Sequence, residues 1–339
     1  MHALPEASTC PKRMVYGPCG GVRDDLSCEL GTVTCPFTDG DAVAWAGASP
    51  SSHRVPGAWE RSGGRPIVLA DLTVPPYDAA SLARCTTTLA GSCDALLVGQ
   101  YHDQPDFPPT MLGALIRDAG GHPWVTLSCR DRNRVVLEQD LAGLAAAGVD
   151  AVFCVTGDAR APGVRTDVSQ VFDLDGPRLA GLASAAGLPV AVPESPDAPP
   201  RGVRASRLAE KRRAGAGAAV LNHVGSADRV AAFTAAARAA GADLPVVAGV
   251  AVYTDERCAR TLQAFPGLDL DPDRVEAVLA APDPVEAGIE AAVVEAAELL
   301  AVPGVAGVNL SGRGTSGGSE RAAEIKAEIG RRVRGLAAA

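Results

Sequence analysis

Lysine is scarce in this chain of 339 residues: only Lys12, Lys211 and Lys326 stand among its 31 basic residues. We interpret the scarcity as the coding bias of a GC-rich gene rather than as a functional signal. The basic residues are also outnumbered by acidic ones, since the formal net charge is −9. A nucleic-acid-binding protein would show a basic stripe, so the charge balance argues against nucleic acid as a partner.

Long apolar runs are missing as well. No stretch reaches the roughly 18 uninterrupted apolar residues of a membrane span. The N-terminal MHALPEASTCPKRM lacks the apolar segment of a secretory signal. We therefore expect a cytoplasmic protein with no membrane partner. Hydrophobic residues make up 47% of the chain, which is ample for a core and excludes a disordered or fibrous protein.

Closely paired Cys-x-x-Cys motifs are absent too, although the chain has nine cysteines. Four of them, Cys10, Cys19, Cys28 and Cys35, lie close together in the sequence. Disulfides are rare in the cytoplasm, where a cysteine cluster more often binds metal or serves catalysis. The four thiols are candidate ligands for Zn²⁺ or an iron–sulfur cluster. The alternative is a small loop-rich module with buried free thiols, since the spacing is not that of a zinc ribbon.

The composition changes near residue 65. Residues 1–60 form an irregular Cys/Gly-rich module, which ends in an apparent linker over 47–64. Over residues 65–335, short apolar runs alternate with helical stretches. One such stretch, Val135–Ala147, has the apolar spacing of an amphipathic helix and a Gly stop at Gly148. The eight runs of strand length are Ile67–Val74, Ala95–Val98, Trp124–Leu127, Ala151–Val155, Pro189–Val192, Ala218–Leu221, Leu244–Val250 and Val305–Leu310.

Eight consecutive βα units predict an α/β protein with a (β/α)₈ TIM-type barrel, preceded by the small Cys-rich module. The alternative is an open doubly wound sheet, which is less favoured because no Gly-x-Gly-x-x-Gly follows the first strand. In a TIM barrel the functional groups lie at the C-terminal ends of the strands. The polar residues predicted at those ends include Asp71, Gln100, Arg130, Asp158, Glu194, Asn222, His223 and Asn309.

Two parts of the sequence resemble one enzyme family. The segment TLSCRDRNRVVLEQDLAGLAAAGVDAVFCVTGD (126–158) closely resembles the strand 3–helix–strand 4 region of methylenetetrahydrofolate reductases. Looser similarity extends over residues 65–312 and includes VLADLTVPP, VAVPESPDAPP and LAEKRRAGAGAAVLNHV. Separately, CPKRMVYGPCGGVRDDLSCEL (10–30) is similar to a cysteine-rich module associated with some of these reductases.

The resemblance implies a reduction of 5,10-methylenetetrahydrofolate to 5-methyltetrahydrofolate, with hydride passing from NAD(P)H through FAD. It also implies a Gly-Asp turn after strand 4, with the Asp near the folate ring and flavin. In this sequence the turn corresponds to Gly157 and Asp158. A strand 6 amide of the substrate pocket corresponds to Asn222, and a helix lysine that holds flavin phosphate corresponds to Lys211.

The sequence departs from the family pattern at the proton donor and at the flavin site. The acid at the end of strand 1 is replaced by Leu72, and Asp71 next to it is the candidate displaced general acid. Because strand side chains alternate, we expect Asp71 to reach the lumen only through a bulge or register shift. Thr126 replaces a histidine at the substrate pocket, and Arg204 and Arg207 replace an acidic residue and an amide at the flavin site.

Three hypotheses follow. The first is a methylenetetrahydrofolate reductase-like enzyme that uses NAD(P)H, either with FAD or by direct hydride transfer. The second is a folate-dependent one-carbon transferase that uses the same pocket. The third is a non-catalytic folate-binding protein or complex subunit, with the cysteine-rich module as the docking part. The sequence leaves open whether the protein is a homo-oligomer.

Overall fold

Eight parallel strands close into a barrel in sequence order, which confirms the predicted (β/α)₈ fold. The computed structural model describes residues 9–38, 42–50, 57–264 and 268–336. The strands are β1 Ile67–Leu72, β2 Ala95–Val98, β3 Pro123–Ser128, β4 Ala151–Val155, β5 Val190–Glu194, β6 Ala218–Leu221, β7 Val246–Tyr253 and β8 Val305–Gly314. β7 and β8 extend beyond their apolar runs because they continue to pair with each other as far as Tyr253 and Gly314.

Helices surround the barrel, and a 3₁₀ turn at Arg201–Val203 precedes the sixth. The predicted helix after β3 is confirmed: Asn133 Oδ1 caps it by accepting from Val136 N, and Gly148 ends it with φ 64°. The helices are α1 Gly57–Arg61, α2 Ala79–Ala90, α3 Pro109–Asp118, α4 Arg134–Ala147, α5 Gly176–Ala185, α6 Arg204–Arg213, α7 Ala227–Ala239, α8 Glu256–Gln263, α9 Pro272–Leu279, α10 Pro284–Leu300 and α11 Ser319–Leu336.

The core has two apolar layers, because both faces of a parallel barrel are buried. The outer layer lies between strands and helices and includes Leu72, Val98 and Leu221. The inner layer fills the lower lumen, where Leu69 and Phe153 pack among the other inward side chains.

Helix α1 lies within the segment predicted as a linker, which is a correction to that part of the sequence reading. Ala58 is fully buried and Trp59 packs against the inner layer. The Trp59 indole donates to Ala306 O at 3.0 Å, and its ring lies 5.9 Å from that of Trp124. Burying these apolar side chains favours an ordered helix over a free linker. Residues 51–56 of the predicted linker lie outside the described residues.

Residues 9–38 are called the N-terminal module below. They contain isolated antiparallel bridges at Val22–Cys28 and Ser27–Thr34 but no helix or extended strand. Tyr16 of the module packs on Trp45, with ring centroids 4.8 Å apart. Within the described part of the chain, every helix is too short or too polar to cross a membrane.

Candidate functional site

The side chains at the mouth of the lumen form the candidate site. Asp71 follows Leu69 in the inward-facing series of β1, and Thr126 is paired with the inward Phe153. Asn309 pairs with Leu69, and Asn222 follows the inward Val220. Strand alternation therefore brings these four predicted residues to one opening, above the apolar inner layer.

Asp71 reaches the lumen without a bulge, which corrects the expectation from the sequence. Its register with β2 is regular, and Leu72 is the residue that packs outward. The Asp71 carboxylate accepts hydrogen bonds from Asn309 Nδ2 at 2.9 Å and from Ser311 Oγ and Gly312 N at 3.2 Å each. Three donors on one carboxylate make Asp71 an acceptor that is suited to a positive charge or to ligand N–H groups.

Asn309 leaves one polar atom free beside Asp71. Its side chain is buried, and its Oδ1 has no hydrogen-bond partner among the described residues. Buried polar groups are normally paired, so an orphan acceptor at a cavity mouth indicates a place for a ligand donor. Thr126 occupies an inward position of β3 at the same opening.

The turn after β4 presents Asp158 at the rim. Asp158 is exposed, and its carboxylate forms no ion pair with the described residues. Gly157 has φ +92°, and a Cβ at this position would lie 2.2 Å from Ser128 Oγ. The turn therefore requires glycine at 157, for both its conformation and its space.

Three predicted substrate residues point away from the lumen. Gln100 lines a separate cavity of about 180 Å³ between the ends of β1 and β2 and helix α3. Its Oε1 accepts from Ser128 N at 3.2 Å and from Arg132 at 3.1 Å. His223 is buried behind the sheet, where Nε2 lies 2.5 Å from Glu295 Oε1 on α10. Glu194 likewise faces outward, toward α6. Alternation explains each case, because the adjacent residue occupies the inward position.

Arg130 is buried at the rim and joins three loops. It donates to Tyr101 O at 2.8 Å, to Asp158 O at 3.4 Å and to the Asp131 carboxylate at 2.9 Å. Asp131 in turn pairs with Arg160 at 2.8 Å. The guanidinium is therefore part of a network that holds the rim loops together.

The N-terminal module covers the barrel mouth over β4–β6. Val15 N and Tyr16 N donate to Asp175 Oδ2 at 2.8 and 3.2 Å, and Asp175 also caps α5. Gly20 lies beside Ser195, whose hydroxyl accepts from Asn222 Nδ2 at 2.7 Å. The module therefore borders the lumen on this side.

A buried charged cluster supports the module from below. Glu194 lies 2.8 Å from Lys211 Nζ, 3.2 Å from Arg207 and 3.7 Å from Arg204. Burial raises the pKa of Glu194, but the three cations outweigh burial and lower it to about 2. Burial and the neighbouring Arg207 lower the pKa of Lys211 to about 7. Arg204 also donates to Cys19 O at 3.0 Å, which ties the module to the cluster.

These residues do not fit a flavin. The phosphate-binding role expected for Lys211 requires a free ammonium, but Lys211 is buried and donates to Glu194 and to Pro193 O. Arg204 and Arg207 are committed to the same carboxylate. The module lies close to Arg207, since a Cβ on Gly17 would lie 3.5 Å from Arg207 Cδ. The geometry offers no flavin-phosphate site at Lys211.

The cysteines do not form a metal site either. No group of three or more His, Cys, Asp or Glu side chains in the described ranges is arranged to hold a metal ion. Cys10, Cys28 and Cys35 are buried free thiols, and burial raises the pKa of Cys10 and Cys35. The Cys19 thiol donates to Glu29 Oε1 at 3.5 Å. The arrangement matches the alternative of a loop-rich module with buried thiols.

The scarcity of lysine, by contrast, has a structural counterpart that the sequence reading missed. All three lysines are buried, and each donates to a backbone carbonyl near a strand end at the mouth. Lys12 donates to Gly157 O, Lys211 to Pro193 O, and Lys326 to Asp71 O. A compact ammonium on a flexible stem can be satisfied in such a pocket more easily than a guanidinium with five donors.

The chain matches no family model and no curated protein. It is similar to the structure of an uncharacterized protein from Clostridium thermocellum that binds two copies of 5-methyl-5,6,7,8-tetrahydrofolic acid. The TM-score is 0.57 at 10% identity, covering 83% of this chain and 100% of that one. Tryptophan synthase from M. tuberculosis gives a TM-score of 0.47 at 17% identity, over 84% and 100% of the chains. Oxaloacetate acetylhydrolase gives 0.47 at 13%, over 75% and 77%. At these identities the likeness shows the fold alone.

The Glu194 cluster yields a stability prediction. Replacing Glu194 by Gln leaves three buried cations without their carboxylate, which should lower the free energy of unfolding by about 3–5 kcal/mol. Urea denaturation at neutral pH measures the loss, with the exposed Glu276→Gln as control. Because the folded pKa of Glu194 is about 2 and its ordinary value 4.5, the wild type should lose this contribution as pH falls between those values. Equal midpoints for the two variants would contradict the assignment.

Proposed function

We propose that the protein binds a reduced folate at the barrel mouth and reduces 5,10-methylenetetrahydrofolate to 5-methyltetrahydrofolate by direct hydride transfer from NAD(P)H. The observation that carries the folate site is the inward pair of Asp71 and Asn309. It combines a carboxylate held by three donors with an orphan buried acceptor, Asn309 Oδ1. The pterin ring of a folate has N–H and amino donors that complement these oxygens.

The chemistry supports an electrostatic role for Asp71. Opening of the five-membered ring breaks the bond between N10 and the methylene carbon, and N10 takes up a proton. The remaining N5 iminium carries a positive charge, and the hydride from NAD(P)H adds to its carbon to give the methyl group and NAD(P)⁺. A fixed carboxylate in a lumen with apolar walls stabilises that charge. Asp71 is held as an acceptor, so we assign it this role in place of the proton donor expected from the sequence.

Two further features support a folate as the ligand. The resemblance of segments 126–158 and 208–224 to methylenetetrahydrofolate reductases implies that Asp158 and Asn222 lie near the folate. Asn222 faces the lumen, and Asp158 lies at the rim above it. The barrel is also similar to that of the Clostridium thermocellum protein that binds 5-methyltetrahydrofolic acid.

Binding of 5-methyltetrahydrofolate tests the proposal. We expect isothermal titration calorimetry to show saturable binding to the wild type. Asp71→Asn should weaken it roughly tenfold to a hundredfold, the equivalent of about 1.5–3 kcal/mol for a hydrogen bond to a charged group. Asp243→Asn, an exposed residue that precedes β7 at the other end of the barrel, is the matched control. A wild type that does not bind the ligand would overturn the proposed function.

The redox step has its own test. The purified protein should oxidise NADH or NADPH in the presence of 5,10-methylenetetrahydrofolate, and added FAD should neither bind saturably nor raise the rate. Fluorescence titration of FAD and the nucleotide absorbance report the two quantities. Folate binding without nucleotide oxidation would favour the one-carbon transferase or the non-catalytic binding protein. Saturable FAD binding that raises the rate would contradict the proposed direct hydride transfer.

A further inference from the structure

Two charged side chains of the N-terminal module contact the turn that carries Asp158. Lys12 Nζ donates to Gly157 O at 2.7 Å. Glu29 Oε2 accepts from Ala159 N at 2.9 Å. These backbone groups belong to the residues immediately before and after Asp158, and Lys12 and Glu29 also form an ion pair with each other. The module therefore holds both sides of Asp158 while leaving its carboxylate free.

The ion pair is shielded from solvent. The Lys12 side chain is 1% exposed and that of Glu29 17%, and the Lys12 ammonium lies 5.3 Å from the centre of the Phe172 ring. Burial lowers the pKa of Lys12, but the neighbouring Cys19, Glu29 and Asp158 outweigh burial and raise it above its ordinary value. Buried charges are little screened by salt, so the pair fixes geometry more firmly than a surface pair does.

The rest of the motif in residues 10–30 positions Glu29. The Cys19 thiol donates to Glu29 Oε1 at 3.5 Å. Burial raises the pKa of Cys19 to about 11, which keeps its proton in place for that bond. A Cβ on Gly21 would lie 1.9 Å from the same oxygen, so the missing side chain makes room for the carboxylate. The lysine, the cysteine, the glycine and the glutamate of the motif thus converge on one turn.

The barrel holds the flanks of this turn, at Thr156 and Arg160, more closely than Asp158 itself. Gly157 has the left-handed φ of +92°, and the hydrogen bond from Arg130 to Asp158 O is long, at 3.4 Å. Other contacts anchor the module without touching the turn, notably those of Val15 and Tyr16 with Asp175. The contacts of Lys12 and Glu29 are therefore additional to docking, and they act on the position of Asp158.

We propose that Lys12 and Glu29 are positioning residues for Asp158, so that the N-terminal module completes the folate site instead of serving as a separate metal-binding or docking unit. The part of this proposal that concerns the ligand rests on the proposed function. The part that concerns the turn is independent of it. The two parts are tested by different measurements on the full-length protein.

The first measurement is hydrogen–deuterium exchange at Ala159 in the ligand-free protein. Glu29→Ala removes the acceptor, and Gly21→Ala displaces the Glu29 carboxylate while keeping its charge. Both should raise the exchange rate of this amide at least roughly fivefold, the equivalent of about 1 kcal/mol for one hydrogen bond. The matched controls should leave the rate unchanged: Gly31→Ala has no atom within 4 Å of its new Cβ, and Asp24→Ala removes an exposed contact with Arg201. An unchanged exchange rate of the Ala159 amide in both test variants would show that Glu29 does not hold this amide.

The second measurement is a double-mutant cycle on 5-methyltetrahydrofolate affinity. Glu29→Ala should weaken binding roughly fivefold in the wild-type background, and should have no further effect when Asp158 is already Asn, because Glu29 acts through Asp158. Independent, multiplicative losses would overturn the positioning role. If Glu29→Ala does not fold, Gly21→Ala takes its place in the cycle. If the wild type binds no folate, the proposed function fails, and the exchange rates alone decide the role of the Lys12–Glu29 pair.

Discussion

The alternation of side chains along eight closed parallel strands is the constraint on which the site depends. In a barrel each strand places successive residues inside and outside, so neighbouring polar residues serve different purposes. Asp71 faces the lumen, whereas Leu72 packs under the helices. Asn222 faces the lumen, whereas His223 pairs with Glu295 behind the sheet. The inward set can contact a ligand, and the outward set holds helices and loops in place.

The N-terminal module belongs to this arrangement because it contacts the mouth directly. Below the module, Glu194 forms ion pairs with three cations of α6. One of these cations, Arg204, also donates a hydrogen bond to the module backbone at Cys19 O. Above the turn after β4, Lys12 and Glu29 hold the backbone on either side of Asp158. Buried lysines that donate to strand-end carbonyls thus brace the mouth at β1, β4 and β5.

Much of the fold follows from the sequence, because the signals are local. The apolar runs predict all eight strands, and Asn133 and Gly148 mark the ends of α4. The site is harder to predict, since the register of each strand decides whether a strand-end side chain points into the lumen or out of it. Three polar residues stand at strand ends and were expected at the site: Gln100, Glu194 and His223. That their side chains point out of the barrel can be told only when the alternation along each strand is known. The role of Lys12 and Glu29 depends on contacts more than a hundred residues apart in sequence. Their presence in the 10–30 motif, together with the rarity of lysine, was the available signal.

The most direct test of the account is a crystal structure of the full-length protein with 5-methyltetrahydrofolate. We expect the pterin ring to lie in the lumen against Asp71 and Asn309. The N-terminal module should still be docked, and Asp158 should lie beside the ligand. A pterin bound elsewhere, or seated on the Glu194 cluster with the module displaced, would contradict it.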